Sequence, residues 1–272
     1  MRYIRFRTKD YPEGAFGIVD GDTVRVLSGN PLREADVTGA RVPLDGISEY
    51  LPPVDPPNIV AIGANYRAHS AECQVAIPDH PIIFIKTTNT VTGHGHAVVL
   101  PTEAPNEVDY EVELAVVMRD RTRNVPEREA LSHVFGYTIG QDISARDCQM
   151  RLDKQWARGK CFDTFCPIGP WIETDIDPGR VRLRTILNGA IMQDDDTSSM
   201  IFSVACLVSY ISRMMTLLPG TLIMTGTPSG VGFARKPPVF LRPGDVLISE
   251  ITGIGRMENK VASEDTALDP DE

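Results

Sequence analysis

The chain has no long uninterrupted apolar run. Its most helix-like apolar stretch, residues 198–216, is interrupted by Ser203, Ser209, Ser212 and Arg213, so it is not a membrane span. The opening Met1-Arg2-Tyr3-Ile4-Arg5-Phe6-Arg7 has none of the apolar core of a signal peptide. Five cysteines (Cys73, Cys148, Cys161, Cys166 and Cys206) make an odd number with no C-x-x-C pair, which predicts a reduced, cytoplasmic protein. Positive charge is in deficit: 27 Lys and Arg stand against 37 Asp and Glu, a net charge of -10 with neutral histidines. That balance argues against a nucleic acid or an anionic membrane as partner. An anionic substrate would need a local cation to draw it in. The glycine-rich residues 225–232 lack the Gly-Lys-Ser/Thr ending of a phosphate loop, so nucleotide binding is not expected. No internal repeat or low-complexity tract stands out.

What is present suits a folded, soluble chain. With 272 residues, 42% apolar and 24% charged, it can bury a substantial core as one large domain or one large and one small. Residues 15–19 and 23–27 read as strands joined through Asp20-Gly21-Asp22, a strong hairpin signal, and so predict a small N-terminal β unit. Residues 51–58 contain Pro52, Pro53, Pro56 and Pro57, which lack the backbone donor, and read as the linker that ends a 1–57 unit. A main domain is expected over 58–262. It has strands near 59–63, 82–86, 222–225, 246–250 and 256–261, and a helix over 198–216 behind a Thr/Ser cap. The acidic residues 263–272 are expected to fray. The fold class is α+β, mainly β.

Residues 108–118 organise the rest. At the strand period of two, Val108, Tyr110, Val112, Leu114, Val116 and Met118 share an apolar face, while Asp109, Glu111 and Glu113 share the other. Carboxylates about 7 Å apart along a strand repel unless solvated, protonated or neutralised by a cation, and hard oxygen donors suit magnesium, manganese or calcium. The competing reading is an edge strand with a wet acidic face. Further on, Gly136, Thr138 and Gly140 lie on the face of Asp142, which would place that carboxylate at the mouth of a tight cleft, with Ser144 capping a following helix.

Other residues could carry chemistry. If residues 63–72 are helical, His69 and Glu72 stand at i and i+3, where the carboxylate can orient the imidazole as a general base; a merely solvated surface pair has the same spacing. Lys160 lies among small and aromatic residues, although lysines usually snorkel at surfaces. His94 and His96 could form a zinc pair, but no third soft ligand is evident nearby. Cys161 and Cys166 read as buried, inert thiols rather than nucleophiles.

Taken in order, six segments resemble the fumarylacetoacetate hydrolase superfamily over residues 58–262. They are Asn65-Tyr66-x-x-His69-x-x-Glu72, Glu111-x-Glu113, Asp142, Gly159-Lys160-Cys161-Phe162-Asp163, Thr225-Gly226-Thr227-Pro228-Ser229-Gly230-Val231, and the closing Pro243-Gly244-Asp245 with Gly253-Ile254-Gly255. The resemblance implies Glu111, Glu113 and Asp142 as ligands of one divalent cation, Mg2+ or Mn2+, with Ca2+ as a substitute. It implies a lid whose His69 and Glu72 activate water, Lys160 facing substrate, and Thr227 near it; Arg146 and Gln149 are candidates for orienting the substrate. Ala68 replaces a common Asp, and Cys161 replaces Ser. The larger fumarylacetoacetases have an additional upstream Asp ligand with no counterpart here, so the acylpyruvase-like branch is the closer match. The implied fold is a mixed β-sandwich roll and the implied assembly a homodimer.

The activity so implied is metal-dependent hydrolysis of a carbon-carbon bond in a 2,4-dioxo acid, an acylpyruvate or fumarylpyruvate, to pyruvate and a carboxylic acid. His69, held by Glu72, would deprotonate water to attack the C4 carbonyl, and the departing pyruvate enolate would be stabilised by the cation and Lys160. Decarboxylation of oxaloacetate or isomerisation of a 2-hydroxydienedioate needs the same enolate without hydrolysis. A protein that only binds a metal or a small oxo acid is a further alternative.

Overall fold

The computed structural model describes residues 1–267. The N-terminal alternation becomes a hairpin, Ala15–Asp20 against Thr23–Leu27, with Gly21 at φ +60° in the turn. Arg2–Arg7 pairs on one side with Ala15–Asp20 and on the other with Cys166–Glu173. The small N-terminal unit is therefore not set apart: its strands continue a twelve-stranded mixed sheet that runs into the main domain. Prolines keep residues 52–58 out of the sheet, as expected, yet Val54 is buried against Ile59 and Leu222. The expected linker is a packed strap.

The acidic strand lies at the centre of this sheet. Val112–Met118 is flanked by Val134–Gln141 and Leu222–Met224, and every residue of it is buried. The wet-edge reading is thereby corrected: both faces and both edges are covered. Val112, Leu114, Val116 and Met118 enter a core shared with Leu183, Ile251 and Met257, which belong to a second, five-stranded sheet. Full burial of each such side chain is worth about 1.5–3 kcal/mol. The same core receives Leu207, Val208 and Ile211 from the helix Val204–Met214. Strands dominate, and the class is α+β, mainly β.

Two boundaries differ from the periodic pattern. The helix begins at Val204 rather than near residue 198, because Ser203 Oγ accepts a hydrogen bond from Cys206 N as its N-cap. Residues 200–202 are instead held out of the helix by Asn65, which accepts from Ile201 N through its carbonyl and from Phe202 N through Oδ1. The acidic tail does not fray from residue 263. The last strand runs over Gly255–Ser263, and Glu264 then accepts hydrogen bonds from Thr102 N and Oγ1 at 2.8 Å each. Residues 268–272 lie outside the described residues. Among the described residues, no helix is long and apolar enough to cross a membrane.

Candidate active site

The strand that should have run from Val108 to Met118 breaks at Tyr110 and Glu111. Val108–Asp109 pairs with Ser144–Ala145, whereas Val112–Met118 pairs with Val134–Gln141. Across the break, Glu111 N donates to Gln141 Oε1 and Asp142 N donates to the Glu111 carbonyl, both at 2.9 Å. Register does the rest: Glu113 lies opposite Gly140 and Val112 opposite Gln141, which brings Asp142 level with Glu111. The result is a carboxylate triad of Glu111, Glu113 and Asp142, all buried, with ligand atoms within 4.8 Å of one another.

The break also removes Asp109 from the triad. Its Oδ1 accepts from Arg146 Nε at 2.6 Å and its Oδ2 from Phe233 N at 2.8 Å. Asp142 is fully buried rather than at a cleft mouth, and Gly140 serves packing, since a Cβ there would lie 2.7 Å from Met224 Cε. Ser144 caps no helix. It belongs to a short strand, donates to the Asp142 carbonyl and accepts from Lys160 Nζ. The following turn, Cys148–Leu152, is a π-helix whose Cys148 N is capped by Asp147.

Three cations surround the triad. Lys160 is 2% exposed, and its Nζ donates to Glu111 Oε2 at 2.7 Å and to Asp142 Oδ2 at 2.6 Å. Lys86 Nζ donates to Asp142 Oδ1 at 2.6 Å and to the Lys160 carbonyl at 2.5 Å. Arg146 Nη2 donates to Glu111 Oε1 at 2.7 Å while its Nε serves Asp109, its Nη1 holds Gln149 Oε1 at 2.9 Å, and its plane covers Phe233.

Charge is unevenly met. Burial would raise the Glu111 carboxyl, but Lys160, Arg146 and His69 outweigh it and hold the group below the usual carboxylate range. Burial pushes Glu113 well above that range, and the nearby Asp142 and Glu111 charges add to it. Among the described residues, Glu113 accepts one hydrogen bond, from Gly226 N at 2.8 Å. A carboxylate this enclosed and this weakly compensated is where a divalent cation fits, and three hard oxygen donors match magnesium or manganese.

The segment expected to form a lid is built on Asn65, whose Nδ2 donates to the Thr225 and Phe202 carbonyls and so fixes the chain before the helix Arg67–Glu72. From that helix His69 Nδ1 meets Glu72 Oε1 at 2.8 Å. Glu72 also accepts from Gly230 N, at 3.1 Å on Oε1 and 2.9 Å on Oε2, which ties the lid to the glycine-rich loop. Burial alone would lower the His69 imidazole, but hydrogen bonds to Cys73 and Glu72 and the charge of Glu111 push it up to about 10.

These groups line one cavity of about 430 Å3 together with apolar Ile62, Ile82, Phe84 and Trp156. Of the residues expected from sequence, the structure gathers His69, Glu111, Glu113, Asp142, Arg146, Gln149, Lys160 and Thr227 around this cavity, with Glu72 behind His69. Thr227 has its hydroxyl committed, donating to the Val112 carbonyl and accepting from Gln193 Nε2. His94 and His96 stay apart from the cavity: His94 Nδ1 accepts from Glu258 N, and His96 Nε2 lies 3.1 Å from Glu49. Burial pushes the Cys166 thiol up to about 12, and Cys161 is half-buried with Sγ 3.7 Å from the Ile85 carbonyl. Sequence reading gave no role to Lys86, Asn65 or Cys73, although Asn65 stood in the Asn-Tyr-x-x-His-x-x-Glu segment. Lys86 had a signal of its own, a lysine closing an apolar strand.

Residues 58–262 match the family model described as fumarylacetoacetate (FAA) hydrolase, C-terminal, and residues 1–53 match one described as Rv2993c-like, N-terminal. The chain is 38% identical to a Xenopus laevis protein named mitochondrial oxaloacetate tautomerase, covering 96% of this chain and 90% of that protein. It superimposes with a TM-score of 0.86 on a Mycobacterium marinum structure titled 2-hydroxyhepta-2,4-diene-1,7-dioate isomerase, at 39% identity over 97% of this chain and 99% of that one. A fumarylacetoacetate hydrolase from Exiguobacterium antarcticum gives a TM-score of 0.87 at 33% identity, covering 97% of this chain and 100% of the other.

Proposed function

The chain belongs to the fumarylacetoacetate hydrolase family, and from that premise we propose that it is an enzyme that enolises small 2-oxo acids, with keto-enol tautomerisation of oxaloacetate as its leading activity. The observation that carries this reading is the placement of the His69-Glu72 dyad beside the carboxylate triad, in one cavity that also holds the Lys160 ammonium. Enolisation needs a proton carrier and fixed positive charge facing each other, and both are at hand.

A divalent cation held by Glu111, Glu113 and Asp142 would supply, when bound, a fixed positive charge for the carboxylate and 2-oxo oxygens of the substrate. Lys160, already among those carboxylates, adds a second positive charge where negative charge grows on the 2-oxo oxygen. His69, held protonated by its partners, gives a proton to C3 of the enol form and takes it back in the reverse direction, and Glu72 fixes the ring for that transfer. The tie from Gly230 to Glu72 holds the lid down and keeps bulk water from competing for the proton. Arg146, anchored by Asp109, and Gln149 offer donors to the substrate carboxylate. The oligomer implied by resemblance, a homodimer, enters as part of the same proposal.

A second reading, hydrolysis of an acylpyruvate, is favoured by the apolar lining. Ile62, Ile82, Phe84 and Trp156 give the cavity an apolar wall that an acyl tail matches and a four-carbon diacid, with a carboxylate at each end, does not. In that reaction His69 would deprotonate water instead of carbon.

The test is a substrate panel of oxaloacetate, acylpyruvates, fumarylpyruvate and a 2-hydroxydienedioate, run after chelation and again with added magnesium or manganese. Metal-restored interconversion of enol and keto oxaloacetate above the spontaneous rate, lost in His69→Asn, supports the tautomerase. Release of pyruvate and an acid moves the assignment to hydrolysis, and release of carbon dioxide moves it to decarboxylation. Inactivity on the whole panel, with metal binding intact, would leave a binding protein.

A further inference from the structure

A second constellation of donors lies on the lid itself. His69, Glu72 and Cys73 occupy positions i, i+3 and i+4, and one ligand atom from each lies within 4.8 Å of the others. His69 Nδ1 is 2.8 Å from Glu72 Oε1, and Cys73 Sγ is 3.7 Å from Nδ1 and 3.8 Å from Nε2. Nitrogen, sulfur and oxygen together form a donor set quite unlike the all-oxygen triad. Magnesium prefers oxygen alone, whereas zinc and cobalt take imidazole and thiolate readily.

The distances suit such an ion. With zinc-nitrogen bonds of about 2.0 Å and zinc-sulfur bonds of about 2.3 Å in a tetrahedron, the nitrogen-sulfur edge is about 3.5 Å. The observed separation is within a few tenths of an ångström of that. The nitrogen-oxygen edge would have to open from 2.8 Å, and Glu72 can allow it, because Gly230 N also holds its other oxygen at 2.9 Å. His69 and Cys73 both line the cavity, which leaves a coordination position open to water.

We propose that His69, Glu72 and Cys73 form a binding site for a thiophilic divalent ion, Zn2+ or Co2+, separate from the carboxylate triad, and that its occupation switches the enzyme off. Binding displaces the thiol proton and any proton on the coordinating ring nitrogen to solvent, and it replaces the His69-Glu72 hydrogen bond by two metal-ligand bonds. The switching half rests on the reading of His69 as the proton carrier; the binding half does not.

The experiment uses the full chain with the triad saturated by magnesium and cobalt(II) as probe. One equivalent of cobalt should bring up the near-ultraviolet thiolate-to-cobalt charge-transfer band. The band should persist in Glu113→Gln and vanish in Cys73→Ser and Cys73→Ala, with folding of each variant checked by its melting curve. No band in the wild type, or a band that survives loss of Cys73, overturns the site. Zinc should then inhibit turnover of the magnesium-loaded wild type. Measured against each variant's own zinc-free rate, the half-inhibitory concentration should rise by about tenfold or more without Cys73, since loss of even an outer partner costs 10–100-fold in metal affinity. Equal zinc sensitivity in all forms overturns the switch and points to displacement of magnesium from the triad. The cobalt band with no effect of zinc on turnover upholds the site and overturns His69 as proton carrier.

Discussion

Lys86 and Asp142 form an ion pair of 2.6 Å with side-chain exposures of 0% and 1%. The pair is not isolated, because Lys160 holds the other oxygen of Asp142 at the same distance. Asp142 thus reaches the triad as a carboxylate clamped on both sides, and its orientation does not depend on any added cation. Removing one partner of a buried pair leaves the other charge uncompensated, which costs about 3–5 kcal/mol. Lys86→Met should therefore destabilise the fold by about 3 kcal/mol in urea titrations, the lower end because Lys160 remains. Lys86→Met combined with Asp142→Asn should recover part of that loss. A double variant no more stable than the single one would show that the lysine acts through packing alone.

Glu113 sits at the opposite extreme, with one backbone donor and a carboxyl pushed well above its ordinary range by burial. A carboxyl raised by folding loses stability as pH rises past its unfolded value, because ionising it inside costs more than outside. Glu113→Gln should consequently stabilise the metal-free protein by about 2 kcal/mol at pH 7 while abolishing its response to magnesium. In the wild type, magnesium at 100 times its dissociation constant should add about 2.7 kcal/mol, read as a rise in melting temperature of several degrees. The two melting curves should cross over: variant above wild type without metal, below it with metal. A variant that still gains from magnesium would remove Glu113 from the ligand set.

How far the sequence could be read depended on whether function and fold used the same signal. The strands at Ile59–Gly63 and Val246–Ile251 were legible because burial imposes a continuous apolar run or a period of two, whatever the protein does; Ile82–Lys86 carries such a run at the sheet edge, where Lys86 is its one buried residue. Asp109, Glu111 and Glu113 were legible as a charge anomaly along residues 108–118, whereas the set Glu111, Glu113 and Asp142 came from the family resemblance. What periodicity could not give was the break at Tyr110, because the alternation of residues 108–118 continues unchanged through it. The break sends Asp109 to Arg146 and leaves Glu111 for the triad. The helix start differs for a related reason: residues 200–202 keep a helical pattern but are held out of the helix by Asn65, 135 or more positions away in sequence. Lys86 was hidden by a general habit of lysines, which usually end strands in water.

His94 sets an acid limit of its own. Burial holds its imidazole below the ordinary 6.5, and its Nδ1 accepts a hydrogen bond from Glu258 N, which protonation at that nitrogen would break. The unfolded chain takes up this proton at higher pH than the folded chain does. The contribution of a neutral His94 is therefore complete above about pH 6.5 and is lost as pH falls through its lower folded value. His94→Gln, whose amide oxygen can keep the bond from Glu258, should flatten this part of the stability profile below about pH 6.5. If the stability difference between wild type and variant stays constant across that interval, His94 is not the group responsible.

Gly230 ties the lid to the loop that carries Thr227, and two features make the position intolerant. Its φ of +105° is a backbone state that side chains other than glycine rarely adopt, and a Cβ would strike the Met192 carbonyl. Gly230→Ala must therefore move the loop, and with it the amide that Glu72 accepts from on both oxygens. The core is spared, since the loop lies between the strand Leu222–Met224 and the next sheet rather than within either. A shift of about 1 Å at a catalytic pair can cost about 100-fold, so kcat/KM should fall by that order while magnesium still raises the melting temperature by the wild-type amount. Glu72→Gln provides the matched comparison, because it keeps an acceptor for Gly230 N but weakens the hold on the His69 ring. If Gly230→Ala loses its magnesium response as well, the loop supports the triad through Gly226, and the lid is not its principal client.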